Sequence, residues 1–189
     1  MPFLADVQRG LDGAVQLARL DPSGMGRFDL TVEGFWRSFL AAVVASPFYL
    51  VLVMDQYGRT GTGPHLGEVV FAEVIGYTLG WVAFPVAAIF LTRLLGLGAR
   101  YVALIVAGNW SAVLQAALLA ATALVANMFA DQSAAMIRLA ATAVAVAYHW
   151  FVFRTALETT GGIAFGLVIV DLLLAVLLNL ATDAWIQER

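Results

Sequence analysis

The sequence predicts an all-α integral membrane bundle: five transmembrane helices with an amphipathic surface helix at the N-terminus. Three observations carry this. The 189-residue chain is 62% hydrophobic with mean hydropathy +0.88 and only 12% charged residues, whereas a soluble domain averages about a quarter charged. Apolar stretches of about 20 residues, the length a helix needs to cross a bilayer, follow one another from Gly34 to Asp183. The polar residues left inside those stretches recur at helical spacing beside small residues.

The charge pattern narrows the class further. The net charge is -3, all 10 basic residues are arginine, and cysteine is absent. Nucleic acid would want a basic patch. The lack of cysteine excludes disulfides, thiolate metal sites and thiol catalysis. The N-terminus does not read as a signal peptide, because Asp6 precedes any long apolar core and no basic stretch opens the chain.

Residues 3–20 form the first expected helix. Phe3, Leu4, Val7, Leu11, Ala14, Val15 and Ala18 fall near one face, with Leu17 beside them. The segment is too polar to span, so it is expected to lie flat on the membrane or against a partner. Asp21, Pro22, Ser23 and Gly24 break it. Residues 1–33 are therefore read as a cytoplasmic segment, 34–183 as the transmembrane domain and 184–189 as a short outside tail.

The first span is expected over Gly34–Met54, capped by Asp29 or Thr31. A glycine-rich loop, Asp55–Glu68, leads to Val69–Leu91. The link Arg93–Arg100 precedes Tyr101–Asn127; Asp131–Ser133 turns into Ala134–Phe153; Thr159–Gly162 turns into Ile163–Asp183. No repeat of corresponding motifs appears, which disfavours an inverted-repeat transporter. Arg9, Arg19, Arg27, Arg37, Arg93, Arg100 and Arg154 fall on one side, against Arg59, Arg138 and Arg189 on the other. That bias predicts a cell-membrane protein with its N-terminus cytoplasmic and its C-terminus outside.

Asp171 is the only charge in the run from Ile163 to Ala181. A carboxylate there is costly unless protonated, paired or hydrated. Helical arithmetic stacks Glu73, Gly76, Gly80 and Phe84 on the second span, and Asn109, Ala112, Ala116, Ala120 and Asn127 on the third. It stacks Arg138, Thr142, Ala145 and His149 on the fourth, and Asp171, Ala175 and Thr182 on the fifth. Small residues let helices approach and polar ones bond across them, so these faces are expected to point inward. Asn109 and Asp171 each lie roughly 13 Å from the cytoplasmic end of their spans and His149 roughly 8 Å, which predicts one polar cluster. At the opposite end Glu73 and Arg138 match in depth as an ion pair. Gly76 and Gly80 are the expected helix-packing positions.

Each of these features has a structural reading beside a functional one. An intramembrane ion pair or a core histidine can serve packing alone. Asp55, His65 and Glu68 match no metal-ligand spacing. Ser46 before Pro47 reads as a kink rather than a nucleophile. Trp36, Trp150 and Trp185 fall close to span ends, as interface anchors do; Trp81 and Trp110 lie deeper.

The stretch Phe84–Ala103, "FPVAAIFLTRLLGLGARYVA", and the stretch 148–170, "YHWFVFRTALETTGGIAFGLVIV", together with five close spans and tiny loops, resemble the Yip family of Rab-interacting membrane proteins. Gly76-Tyr77 matches a Gly-Tyr pair of the eukaryotic members, whereas their Asp-Leu-Tyr-Gly-Pro signature is absent. The resemblance implies a non-enzymatic protein that binds other membrane proteins.

The sequence-level expectation is thus a non-catalytic scaffold or accessory subunit of a larger membrane complex. Its partners would be other membrane proteins or itself, within the lipid bilayer, with no nucleic acid, cofactor or metal. The alternative is a small proton-linked transporter or channel using Asp171, His149 and Asn109. A lipid-acting enzyme has least support, since no nucleophile, metal or phosphate motif is present.

Overall fold

Small residues set the architecture around one central helix. The stretch from Tyr101 to Ala126 carries Ala103, Ala107, Gly108, Ala112, Ala116, Ala120 and Ala123, so neighbours approach it closely on several sides. Half of this span is buried, against 17–22% for the other four. The computed structural model describes residues 2–60 and 66–187.

The helices are α1 (Pro2–Ala18), α2 (Val32–Ser38), α3 (Leu40–Thr60), α4 (Leu66–Leu94), α5 (Tyr101–Ala126), α6 (Asp131–Leu157) and α7 (Gly161–Gln187). Short 3-10 turns at Pro22–Arg27 and Gly98–Arg100 complete the order, and the described residues contain no strand. Among the described residues, five helical stretches are long and apolar enough to cross a membrane: Val32–Gly58, Gly67–Leu94, Gly98–Ala126, Asp131–Leu157 and Gly161–Ile186. The fold is the expected multi-pass helical bundle. Neighbours run α3–α5–α6–α7–α4. Tyrosines link α4 back to α3: the Tyr77 hydroxyl donates to the Ala42 carbonyl at 2.6 Å.

Two boundaries differ from expectation. The first span is interrupted at Phe39, between α2 and α3. The predicted loop at Asp55 is still helical, because α3 continues to Thr60. Residues 61–65 of that loop, with His65, lie outside the described residues.

The N-terminal helix lies against the bundle rather than alone on a surface. Ala14 and Leu17 are fully buried. A Cβ at Gly10 would stand 2.2 Å from the Trp110 indole, so only glycine permits this approach of α1 to α5. The Tyr148 hydroxyl lies 2.8 Å from the Ala14 carbonyl and 2.9 Å from Ser111 Oγ, joining α1, α5 and α6. Asp6 pairs with Arg37 at 3.2 Å and also with Arg9. The expected stripe is therefore turned: Val7 and Leu11 pack on the core, but Leu4 is 62% exposed and Val15 is at the surface. The Phe3 side chain lies outside the described residues. The seam that docks is Gly10, Ala14 and Leu17, at helical spacing and small enough for close contact.

Local sequence explains how the chain then enters the bundle. Asp21 accepts from the Ser23 amide at 2.9 Å and starts the first 3-10 turn. Thr31 caps α2, its hydroxyl accepting from the Gly34 amide at 3.0 Å and donating to Asp29 at 2.7 Å. In α3, Pro47 leaves the Val43 carbonyl without its helical amide, and the Ser46 hydroxyl donates to it at 2.9 Å. Gly96, at φ 71°, ends α4 in the left-handed conformation that glycine takes readily.

Candidate functional site

A cavity of ≈ 280 Å³ lies among α3, α4, α5, α6 and α7, and three of the predicted polar residues line it: Asn109, His149 and Asp171. His149 Nε2 stands 3.4 Å from Asp171 Oδ2. The other ring nitrogen, Nδ1, is 3.3 Å from Gln115 Oε1 on α5. The imidazole is edge-on to Phe153, with ring centroids 4.2 Å apart. Nε2 is buried and, at that distance and geometry, makes no hydrogen bond. The acid and the imidazole are thus in contact without a formed hydrogen bond, close enough for one proton to pass between them.

Asn109 shares the cavity wall but is engaged elsewhere. Its amide donates to Ser38 Oγ at 2.9 Å, and Ser38 Oγ donates in turn to the Phe35 carbonyl at 2.7 Å. The expected three-residue cluster is thus a His149–Asp171 pair with Asn109 nearby, tying α5 to the end of α2.

Aromatic rings form much of the remaining wall. Tyr49, Tyr77, Trp81, Phe84 and Phe153 all face the cavity. Tyr49 and Tyr77 lie 4.5 Å apart by centroid, and Phe84 stacks on Phe153 at 5.0 Å. Gly80, Ala175 and Asn179 line it and are exposed, so the cavity is not sealed. No arginine is among its lining residues.

The expected Glu73–Arg138 pair does not form. Glu73 accepts from the Tyr49 hydroxyl at 2.6 Å and the Tyr57 hydroxyl at 3.0 Å. Arg138 lies 3.4 Å from Asp55 and donates to Asn127 at 2.7 Å, while Asn127 donates to Asp55 at 2.8 Å. Depth alone matched Glu73 with Arg138, but α4 packs on α7 and α6 on α5, so the two side chains belong to different contacts. Tyr49 and Tyr57, eight residues apart on α3, are the sequence signal for a shared acceptor, and Asp55 reaches Arg138 because α3 stays helical past the expected end of the span.

The two packing glycines also part company. At Gly76 a Cβ would meet Thr182 Oγ1 at 2.7 Å, a true helix–helix contact between α4 and α7. At Gly80 nothing lies within 4 Å of the Cβ position. Gly80 is a cavity-lining position, not a packing contact.

Among the described residues no three His, Asp or Glu side chains converge as metal ligands do. Comparison with protein-family models, with curated proteins and with solved structures gives no match for this chain.

Proposed function

We propose that this chain is a small proton-linked transporter or channel whose central site is the Asp171–His149 pair. One observation carries the reading: an acid and an imidazole 3.4 Å apart, both within apolar helices long enough to span, on the wall of an open cavity of ≈ 280 Å³. Ionisable residues inside a bundle are costly, and their common use is in proton or substrate pathways. A purely structural pair would be expected to close into a hydrogen bond, since a half-satisfied buried polar pair is worse than an apolar contact. No group in the cavity is placed as an activated nucleophile, and the reading assigns no catalysis. The arginine bias supports a cytoplasmic N-terminus in a cell membrane.

The test uses proteoliposomes loaded with a pH-sensitive dye and a panel of neutral, anionic and cationic amphiphiles. At least one compound should drive proton movement in the wild type and not in Asp171→Asn. If no class of compound does so, the reading fails.

A second reading is the scaffold or accessory subunit favoured by sequence and by the Yip-like layout. Its support is the exposed apolar set of Leu20 and Leu30 on the N-terminal segment with Val32 and Trp36 at the start of the first span, of which Trp36 is 68% exposed. Such a set suits a membrane surface or another membrane protein. Co-purification of a stoichiometric partner from native membranes, lost in Val32→Ser/Trp36→Ser, would support this reading over the first.

A further inference from the structure

The cavity has one carboxylate, one imidazole, no arginine or lysine, and the rings of Tyr49, Tyr77, Trp81, Phe84 and Phe153. We infer that its ligand is a monovalent organic cation with an apolar body, an amine or quaternary ammonium, held by Asp171 against the faces of Trp81, Tyr77 and Phe84. This rests on the transporter reading and names its substrate class.

Charge selects the ligand class. An anion would meet Asp171 with no arginine to offset it. A neutral polar solute would draw nothing from the carboxylate's charge, and Asn109, Asn179, Thr182, Tyr49 and Tyr77 on the wall already donate elsewhere. A cation gains the carboxylate and the negative faces of the rings, and this attraction strengthens as water is excluded. Trp81 and Tyr77 are 6.1 Å apart and set edge to face, which gives the wall two differently directed ring planes.

The same geometry defines an exchange. The titratable groups around the cavity are Asp171 on α7, His149 on α6, Tyr49 on α3 and Tyr77 on α4; α5 contributes the uncharged Asn109. Tyr49 donates a hydrogen bond to Glu73 and Tyr77 donates one to the Ala42 carbonyl, so both hydroxyl protons are directed away from Asp171. In the empty site Asp171 and His149 are kept at zero net charge by one shared proton, either as carboxylic acid and imidazole or as carboxylate and imidazolium. When the cation arrives, that proton leaves to water, the carboxylate remains as counter-ion and His149 is neutral. One positive charge enters and one departs.

The experiment uses the full chain in lipid nanodiscs with three aryl probes of one shape: benzyltrimethylammonium, its uncharged carbon isostere neopentylbenzene, and phenylmethanesulfonate. Calorimetry in buffers of different ionisation enthalpy reads both affinity and proton release. The cation should bind at least about tenfold more tightly than either isostere and release about one proton. Its affinity should rise about tenfold per pH unit while the site is protonated, as mass-action linkage requires. Asp171→Asn should remove the preference for the cation with its melting temperature unchanged, and Trp81→Leu should weaken the cation more than the neutral probe. Equal or tighter binding of the neutral or anionic probe, sensitive to Gly80→Leu, would overturn the cation assignment and leave a ligand cavity standing. Binding of none of the three would overturn the cation assignment, and the amphiphile panel then decides separately whether the transporter reading survives.

Discussion

His149 Nε2 faces Asp171 Oδ2 at 3.4 Å, while Nδ1 of the same ring lies 3.3 Å from Gln115 Oε1. One imidazole therefore joins α5, α6 and α7, yet its cavity-side nitrogen makes no hydrogen bond. His149→Phe keeps the packing on Phe153 but leaves Gln115 and Asp171 without their partner, so it should cost about 1–3 kcal/mol while the protein still folds. It should also abolish proton exchange in proteoliposomes. Loss of folding with no stable variant would make the residue structural.

Gly76 and Gly80 should behave oppositely. At Gly76 an added methyl meets Thr182, so Gly76→Ala should lower stability by about 1–3 kcal/mol through overpacking. Gly80→Leu should leave the melting temperature near the wild-type value and instead fill the cavity. Melting curves in detergent and probe binding in nanodiscs measure the two effects. A large destabilisation by Gly80→Leu would mean that α4 and α7 close at that point.

The spans were legible because lipid leaves the backbone one solution, and length plus hydropathy reveals it. Asp171 and His149 were legible as well, since a polar residue in an apolar run advertises an inward face. What the sequence lacked was neighbour order. Depth arithmetic placed Glu73 level with Arg138, but α7 rather than α6 packs beside α4. The Gly10–Trp110 approach is hidden for another reason: a hydrophobic stripe marks large residues, while the closest approach here is made at a glycine. Asp55 was missed because Gly58 and the glycines beyond it drew the span boundary too early.

Arg138 should couple to Asp55 and not to Glu73. The Asp55 side chain is 6% exposed, with Arg138 and Asn127 beside it. Arg138→Met should destabilise by about 3 kcal/mol, the scale for removing one partner of a buried pair. Glu73→Gln should cost about 1 kcal/mol, since the amide oxygen still accepts from one tyrosine hydroxyl while the other loses its acceptor. A double-mutant cycle of Arg138→Met with Glu73→Gln should give a coupling within about 0.5 kcal/mol of zero, as expected for separate contacts. A coupling above that would restore the ion pair read from sequence.

The docking of α1 depends on one missing side chain. A Cβ at Gly10 would penetrate the Trp110 indole, and Trp110 is itself only 4% exposed. Gly10→Val should therefore release α1 from the bundle and open residues 2–18 to protease while the five spans stay folded. Tyr148→Phe removes the hydrogen bonds to Ala14 and Ser111 but keeps the ring, and should cost about 1 kcal/mol. Protection of α1 in Gly10→Val equal to wild type would show that α1 docks by another face.

The link from α1 into α2 carries a pH dependence of defined sign. Hydrogen bonds from the Thr31 hydroxyl and amide to Asp29 hold its carboxyl below the usual value of 3.8, with burial opposing and Arg9 and Arg37 adding to the lowering. Because the folded-state value is depressed, this contribution is fully present above the ordinary carboxylate range. It is lost as pH falls through the folded-state value, where the folded carboxyl finally takes a proton. The geometry around it is tight: a Cβ at Gly34 would stand 2.1 Å from the Asp29 carbonyl oxygen, so the turn has no slack to absorb a rearrangement. Asp29→Asn retains an acceptor for Thr31 but does not titrate. Melting temperature measured from about pH 6 to about pH 3 should fall more steeply for wild type than for Asp29→Asn, since only the wild type loses the carboxylate that accepts from Thr31 over that interval. Parallel curves for the two proteins would show that the Asp29–Thr31 bonds add nothing to the ionised fold.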